Sequence, residues 1–146
     1  KKVPVGMYLN AIAFFIVYHS AAVVVMRRIR TLTEAWGRLA QRLAWLGIVP
    51  ATAYFFAWAE TYFYITGAAA GNVWYEDVER MLSIGSFYYA LYFIVSFPNV
   101  YRMDEDRRDP DGGGALGWSL SRTAIEACAV SLLTLLLLDF AVELRW

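Results

Sequence analysis

S-I-G-S-F-Y-Y-A-L-Y-F-I-V-S-F-P-N-V-Y-R-M-D-E-D, running from Ser83 to Asp106, decides the fold. No charged side chain falls between Met81 and Tyr101. As a helix rising about 1.5 Å per residue, that stretch can cross a hydrocarbon core of about 30 Å. The sequence predicts a break at Phe97-Pro98, before the charged run Arg102-Met103-Asp104-Glu105-Asp106. On a helix, Tyr88, Tyr92, Ser96 and Asn99 fall on one side. A helix facing only lipid has no use for such a stripe. It is expected to point inward, to a partner helix, a ligand or both.

The rest of the chain has the same character. Of its 146 residues 60% are hydrophobic and 17% aromatic, and the mean hydropathy is +0.43. Soluble domains run at about 45–50% apolar residues. Thirteen basic and thirteen acidic side chains cancel, so the balance favours no nucleic acid and no acidic partner. A single cysteine, Cys128, excludes an internal disulfide and a cysteine metal cluster, and a single histidine excludes a His-rich one. No metal and no cofactor are expected. The chain opens at Lys1, not Met, without an evident cleavable signal peptide, so it is expected to be a piece of something longer.

Four apolar runs stand out, at about residues 3–26, 43–66, 81–101 and 123–144. Each approaches the ~20 residues that a spanning helix needs, and lipid offers the backbone no alternative partner. Arg27–Arg42, with Trp36, Leu39 and basic residues, suits a short interfacial helix. Glu76, Asp77 and Glu79 suit the positive end of a third helix. D-P-D-G-G-G, from Asp109, marks a turn-rich loop, after which Ser119 or Ser121 can cap a fourth. The predicted fold is all-α: an integral membrane four-helix bundle with a short interfacial helix after the first span, one transmembrane domain over residues 1–146. Nine of the thirteen Lys and Arg residues lie in Arg27–Arg42 and Arg102–Arg122, which places both segments on the cytoplasmic side.

Ionisable residues within spans are costly and face a bundle interior, which makes each a functional candidate. His19 lies eight residues before Arg27, about 12 Å inside that edge. It reads as an interhelical hydrogen bond or as a proton relay. Glu60 has six aromatic neighbours in sequence, Tyr54, Phe55, Phe56, Trp58, Tyr62 and Phe63. Apolar surroundings favour the neutral carboxyl, which can donate a proton. The alternative is a carboxyl that only ties two helices together. Asp139 interrupts L-L-L-L-D-F and needs a partner. It is a second proton-handling group or an anchor for Glu60, which lies toward the same side. Glu126 follows Arg122 by one turn, so an ion pair explains it. Arg27, Arg28, Arg30 and Arg102 suit lipid head groups or topology. Trp45, Tyr75 and Trp118 near span ends belong to interfacial belts. Tyr88 and Tyr92 lie deeper, where ring faces can steady a cation.

Several segments resemble the cycloeucalenol cycloisomerases, or cyclopropyl sterol isomerases. S-I-G-S-F-Y-Y-A-L-Y-F-I-V-S-F-P-N-V-Y-R-M-D-E is similar to that family's core signature. Y-H-S-A-A-V-V-V-M-R-R-I-R (Tyr18–Arg30), Y-F-F-A-W-A-E-T (Tyr54–Thr61), W-S-L-S-R-T-A-I-E (Trp118–Glu126) and L-L-D-F (Leu137–Phe140) resemble further family segments, in order. The resemblance implies that this chain matches the C-terminal part of family members, which carry more spans ahead of the His-bearing one. The Asp109–Gly117 insertion is unlike the short family loop. The implied reaction opens the cyclopropane ring of a 9β,19-cyclosterol, as from cycloeucalenol to obtusifoliol. A strong acid protonates the ring methylene, positive charge develops at the ring-junction carbon, and loss of a neighbouring proton leaves a double bond. Glu60 or His19 is then the expected donor, with the other, or Asp139, receiving or relaying the proton. Tyr54, Tyr88, Tyr92 and Ser96 are the expected substrate-binding residues.

A rival expectation is a non-catalytic sterol- or lipid-binding membrane protein, or a partner subunit. A proton-coupled transporter is disfavoured because no internal repeat is present. Expected partners are a sterol or other polycyclic lipid, membrane lipids, and further N-terminal spans or a second copy. The compartment is the endoplasmic reticulum in a eukaryote and the cytoplasmic membrane in a bacterium.

Overall fold

A computed structural model describes residues 5–66, 74–105 and 118–143. These form four long helices: α1 (Val5–Leu32), α2 (Arg38–Thr66), α3 (Val78–Glu105) and α4 (Leu120–Glu143). All four are long and apolar enough to cross a membrane. Their 24 to 29 residues reach about 36–44 Å, so each helix projects beyond an apolar core of about 30 Å. Val3, the D-P-D-G-G-G loop, the Asp109–Gly117 insertion and Leu144 lie outside the described residues.

Side-chain pairing fixes the packing. Phe15 meets Tyr92, His19 meets Ser96 and Arg27 meets Asp104, each pair 77 residues apart, so α1 and α3 run parallel. Glu60 with Tyr89 and Trp45 with Tyr101 set α2 antiparallel to α3. Tyr88 with Ala141 and Asn99 with Glu126 do the same for α4. α3 is therefore the central helix. Its face of Ala90, Phe93, Phe97 and Tyr101 is buried against a column of small residues on α2, Val49, Ala53 and Ala57. Small side chains let two membrane helices approach closely, which is where their association energy comes from. Tyr18, Ala22 and Met26 of α1 close the core.

Two expectations fail at the arginine-rich edge. No separate interfacial helix forms between the first two spans: α1 runs on to Leu32 and α2 begins at Arg38. Leu, Arg, Ala and Gln in that segment are good helix formers and simply extend both helices. The turn between them is stapled by Gln41, whose Nε2 donates to the carbonyls of Thr33, Glu34 and Trp36. The break at Phe97-Pro98 is absent too, since α3 continues through Pro98 to Glu105. Proline is tolerated inside membrane helices when neighbours hold the chain. Here Phe97 and Tyr101 are buried on either side of it, and Arg27 clamps Asp104 and Glu105 in the last turn.

The other end of α3 begins as predicted from its acids. Asp77 caps the helix by accepting from the Arg80 amide at 2.9 Å. A π-helical turn, Met81–Gly85, follows. Gly85 leaves room there for the Met81 side chain, whose sulfur would lie 2.5 Å from a Cβ. Ser119 caps α4 through the Arg122 amide at 3.2 Å.

Candidate active site between α1, α2 and α3

Two polar pairs join α1 and α2 to α3. On α1, His19 Nδ1 lies 2.7 Å from the Phe15 carbonyl, which can only accept, so Nδ1 carries a proton. Nε2 lies 3.0 Å from Ser96 Oγ on α3. In the neutral ring Nε2 is the acceptor and the serine hydroxyl donates. One ring nitrogen is thus anchored to backbone and the other is held by a hydroxyl that can rotate away. The second pair joins α2 to α3: the Tyr89 hydroxyl donates to Glu60 Oε2 at 2.7 Å.

Phe93 stands between the pairs. Its ring is fully buried, 6.1 Å from the His19 ring, 5.0 Å from Tyr89, and stacked on Phe97 at 4.9 Å. Ser96 and Tyr89 are seven residues apart on α3, about 10 Å along the axis. The two pairs are neighbours across an aromatic layer, not one hydrogen-bonded cluster.

His19 also borders open space. A groove of about 570 Å³ between α1 and α3 is lined by Phe15, Val23, Val24, Val100 and Met103, with His19 in its wall and Arg27 and Asp104 at its rim. Its walls are apolar and one end is polar. That shape suits a molecule with an apolar body and one polar group.

The predicted site residues separate into groups. His19 and Ser96 come together. Tyr92 packs beside them, its ring tilted against Phe15 at 5.3 Å. Glu60 is buried, 8% exposed, but its sequence neighbours are not its surroundings. Tyr54, Phe55, Trp58, Tyr62 and Phe63 are all exposed on the outside of α2. Successive helical residues point around the axis, so a local aromatic cluster cannot enclose one of its own members. Its contact is instead across the helix interface, with the Tyr89 hydroxyl of α3. Tyr75, beyond the end of α2, has its hydroxyl pushed above the ordinary tyrosine range by burial and then by Glu60.

Tyr88 faces α4, donating to the Ala141 carbonyl at 3.1 Å. Asp139 is exposed on α4, and no hydrogen bond joins it to Glu60 among the described residues. Glu126 is tied across helices, accepting from Asn99 Nδ2 at 3.0 Å and Arg102 at 3.5 Å. Arg122 stacks over Trp118 at 4.3 Å. The stripe of Tyr88, Tyr92, Ser96 and Asn99 thus divides between α4 and α1. Tyr89 and Phe93 escaped the reading of that stripe. They lie on the adjacent face, and the i, i+4 series Tyr89, Phe93, Phe97, Tyr101 could have shown it.

Over 144 residues the chain is 37% identical to cycloeucalenol cycloisomerase of Arabidopsis thaliana. The match takes in 95% of this chain and 46% of that protein, so the chain spans about half the length of the curated relative it matches. The likeness carried by the separate motifs is therefore continuous along nearly the whole chain. No family model and no solved structure matches.

Proposed function

We propose that this chain belongs to a membrane-embedded isomerase that opens the cyclopropane ring of a cyclosterol by proton transfer, with His19 as the group that meets the ring. The observation that carries this reading is the placing of His19, anchored through Nδ1 and lining an apolar groove beside Phe93 and Phe97. Similarity to a cycloeucalenol cycloisomerase supports the substrate class.

In the proposed step, imidazolium Nε2–H delivers its proton to the ring methylene, and the electrons of the breaking carbon–carbon bond form the new C–H bond. Charge then rests on the ring-junction carbon. Neutral Nε2 takes the proton of the neighbouring carbon, whose C–H electrons become the double bond, and the imidazolium is restored. No oxidant or reductant enters. General acid–base catalysis of this kind contributes about 10²–10⁴-fold. The Phe15 ring, which lines the groove with His19, is suited to the transient cation. Ser96 positions Nε2, and Arg27 and Asp104 at the rim suit the sterol hydroxyl. Glu60, the acid favoured by sequence, lies behind Phe93. Its part in this scheme is to hold α2 on α3 through Tyr89.

The test is mass spectrometry of sterol incubated with the purified full chain in deuterated water. A ring-opened product with one deuterium in the new methyl supports the proposal. Unchanged sterol retained by folded protein sinks it, and favours the second reading, a sterol-binding subunit. That reading draws on the relative's twofold length.

A further inference from the structure

We propose that a cleft between the end of α1 and the start of α2 binds the head group of an anionic phospholipid, with an acyl chain running along α2. The cleft has a volume of about 790 Å³. Among the described residues three guanidinium groups line it, Arg30, Arg38 and Arg42, and no carboxylate does. The adjoining cavity, about 760 Å³, differs in kind: Asp104, Glu105 and Glu34 line it with Arg27 and Arg30.

Charge compensation separates the two. Arg27 is spent on Asp104 and Glu105. Arg30 donates to the Tyr101 hydroxyl at 3.1 Å and stands 3.7 Å from Glu105. Arg38 and Arg42 have no ion pair among the described residues, and both are exposed. They lie one turn apart on one face of α2, and Leu46 continues that face a turn deeper. Leu46 is 68% exposed, and it and Ile29 and Trp45 form the apolar part of the cleft. Polarity therefore runs from cationic at the membrane edge to apolar at depth. Free phosphate has a use only for the first half. A phospholipid uses both, and basic clefts between spans at a membrane edge are where anionic head groups bind.

The experiment measures thermal unfolding of the detergent-purified full chain during titration with dioleoyl phosphatidylglycerol, dioleoyl phosphatidylcholine or inorganic phosphate. Phosphatidylglycerol alone should raise the midpoint. The Arg38→Gln/Arg42→Gln double variant should need about thirty-fold more of it, the factor for two basic side chains at a membrane surface. Arg80→Gln, which removes a charge at the start of α3, outside the cleft, should behave as the parent. An equal response to phosphatidylcholine, an equal response to phosphate, or an unaltered double variant would each overturn the proposal.

Discussion

α2 and α4 are both spans by length and composition, and α4 is the more apolar of the two. Yet 28% of the α2 span is buried within the protein against 6% of α4. In water the more apolar helix would be the more buried. In lipid that ordering lapses, because acyl chains solvate leucine as well as another helix does. α2 is held by alanines at close approach and by Glu60. α4 is held at two polar points, Glu126 and the Ala141 carbonyl, while Leu132, Leu135, Leu136 and Phe140 face outward. Between these two helices burial follows small and polar side chains, not hydropathy.

The widest gap between the two environments should appear in turnover. His19→Gln, in the wall built by α1 and α3, is expected to lose about 10²–10⁴-fold. Asp139→Asn, on the outer face of α4, should leave sterol conversion unchanged. Both are read by product formation in membranes carrying the full chain. Equal losses would erase the distinction.

Stability should divide next. Phe93→Ala opens a cavity in the α1–α2–α3 core and is expected to cost about 3–5 kcal/mol, whereas Leu136→Ala should stay within about 0.5 kcal/mol. Unfolding midpoints in detergent measure both. Tyr89→Phe should cost about 1–3 kcal/mol by orphaning the buried Glu60 carboxyl. Glu60→Gln keeps an acceptor for Tyr89, so folding and most turnover should survive. Turnover as poor as that of His19→Gln would return Glu60 to the proton transfer. A smaller loss is expected of Asn99→Ala, about 1 kcal/mol from one hydrogen bond between α3 and α4. Faster proteolysis of α4 would reveal it.

Legibility follows the same division. The four spans could be read because lipid forbids charge along long windows, a local constraint. His19 and Ser96 were both singled out, each for its polarity in an apolar run. Their meeting could not be read, since it depends on a register between helices 77 residues apart. Glu60 was placed correctly inside, but its partner Tyr89 hides on a face that the Tyr88–Asn99 stripe draws attention away from. Tyr54 misled for the opposite reason. It is near Glu60 in sequence and 40% exposed in space. The extra helix at the arginine edge failed because basic residues that favour an interface also favour continuing a helix.

The Glu60–Tyr89 bond bears on how the chain is made. Synthesis delivers Glu60 to the membrane 29 residues before its partner exists. A newly inserted α2 therefore enters the bilayer before α3 can offer that hydroxyl, and an unmatched acid makes a span a poor lodger in lipid. α2 is in that sense a provisional span, committed only when α3 arrives. A nascent chain stalled after Thr66 should slip back from the translocon more readily than one extended through Glu105, and removing the acid should abolish that difference.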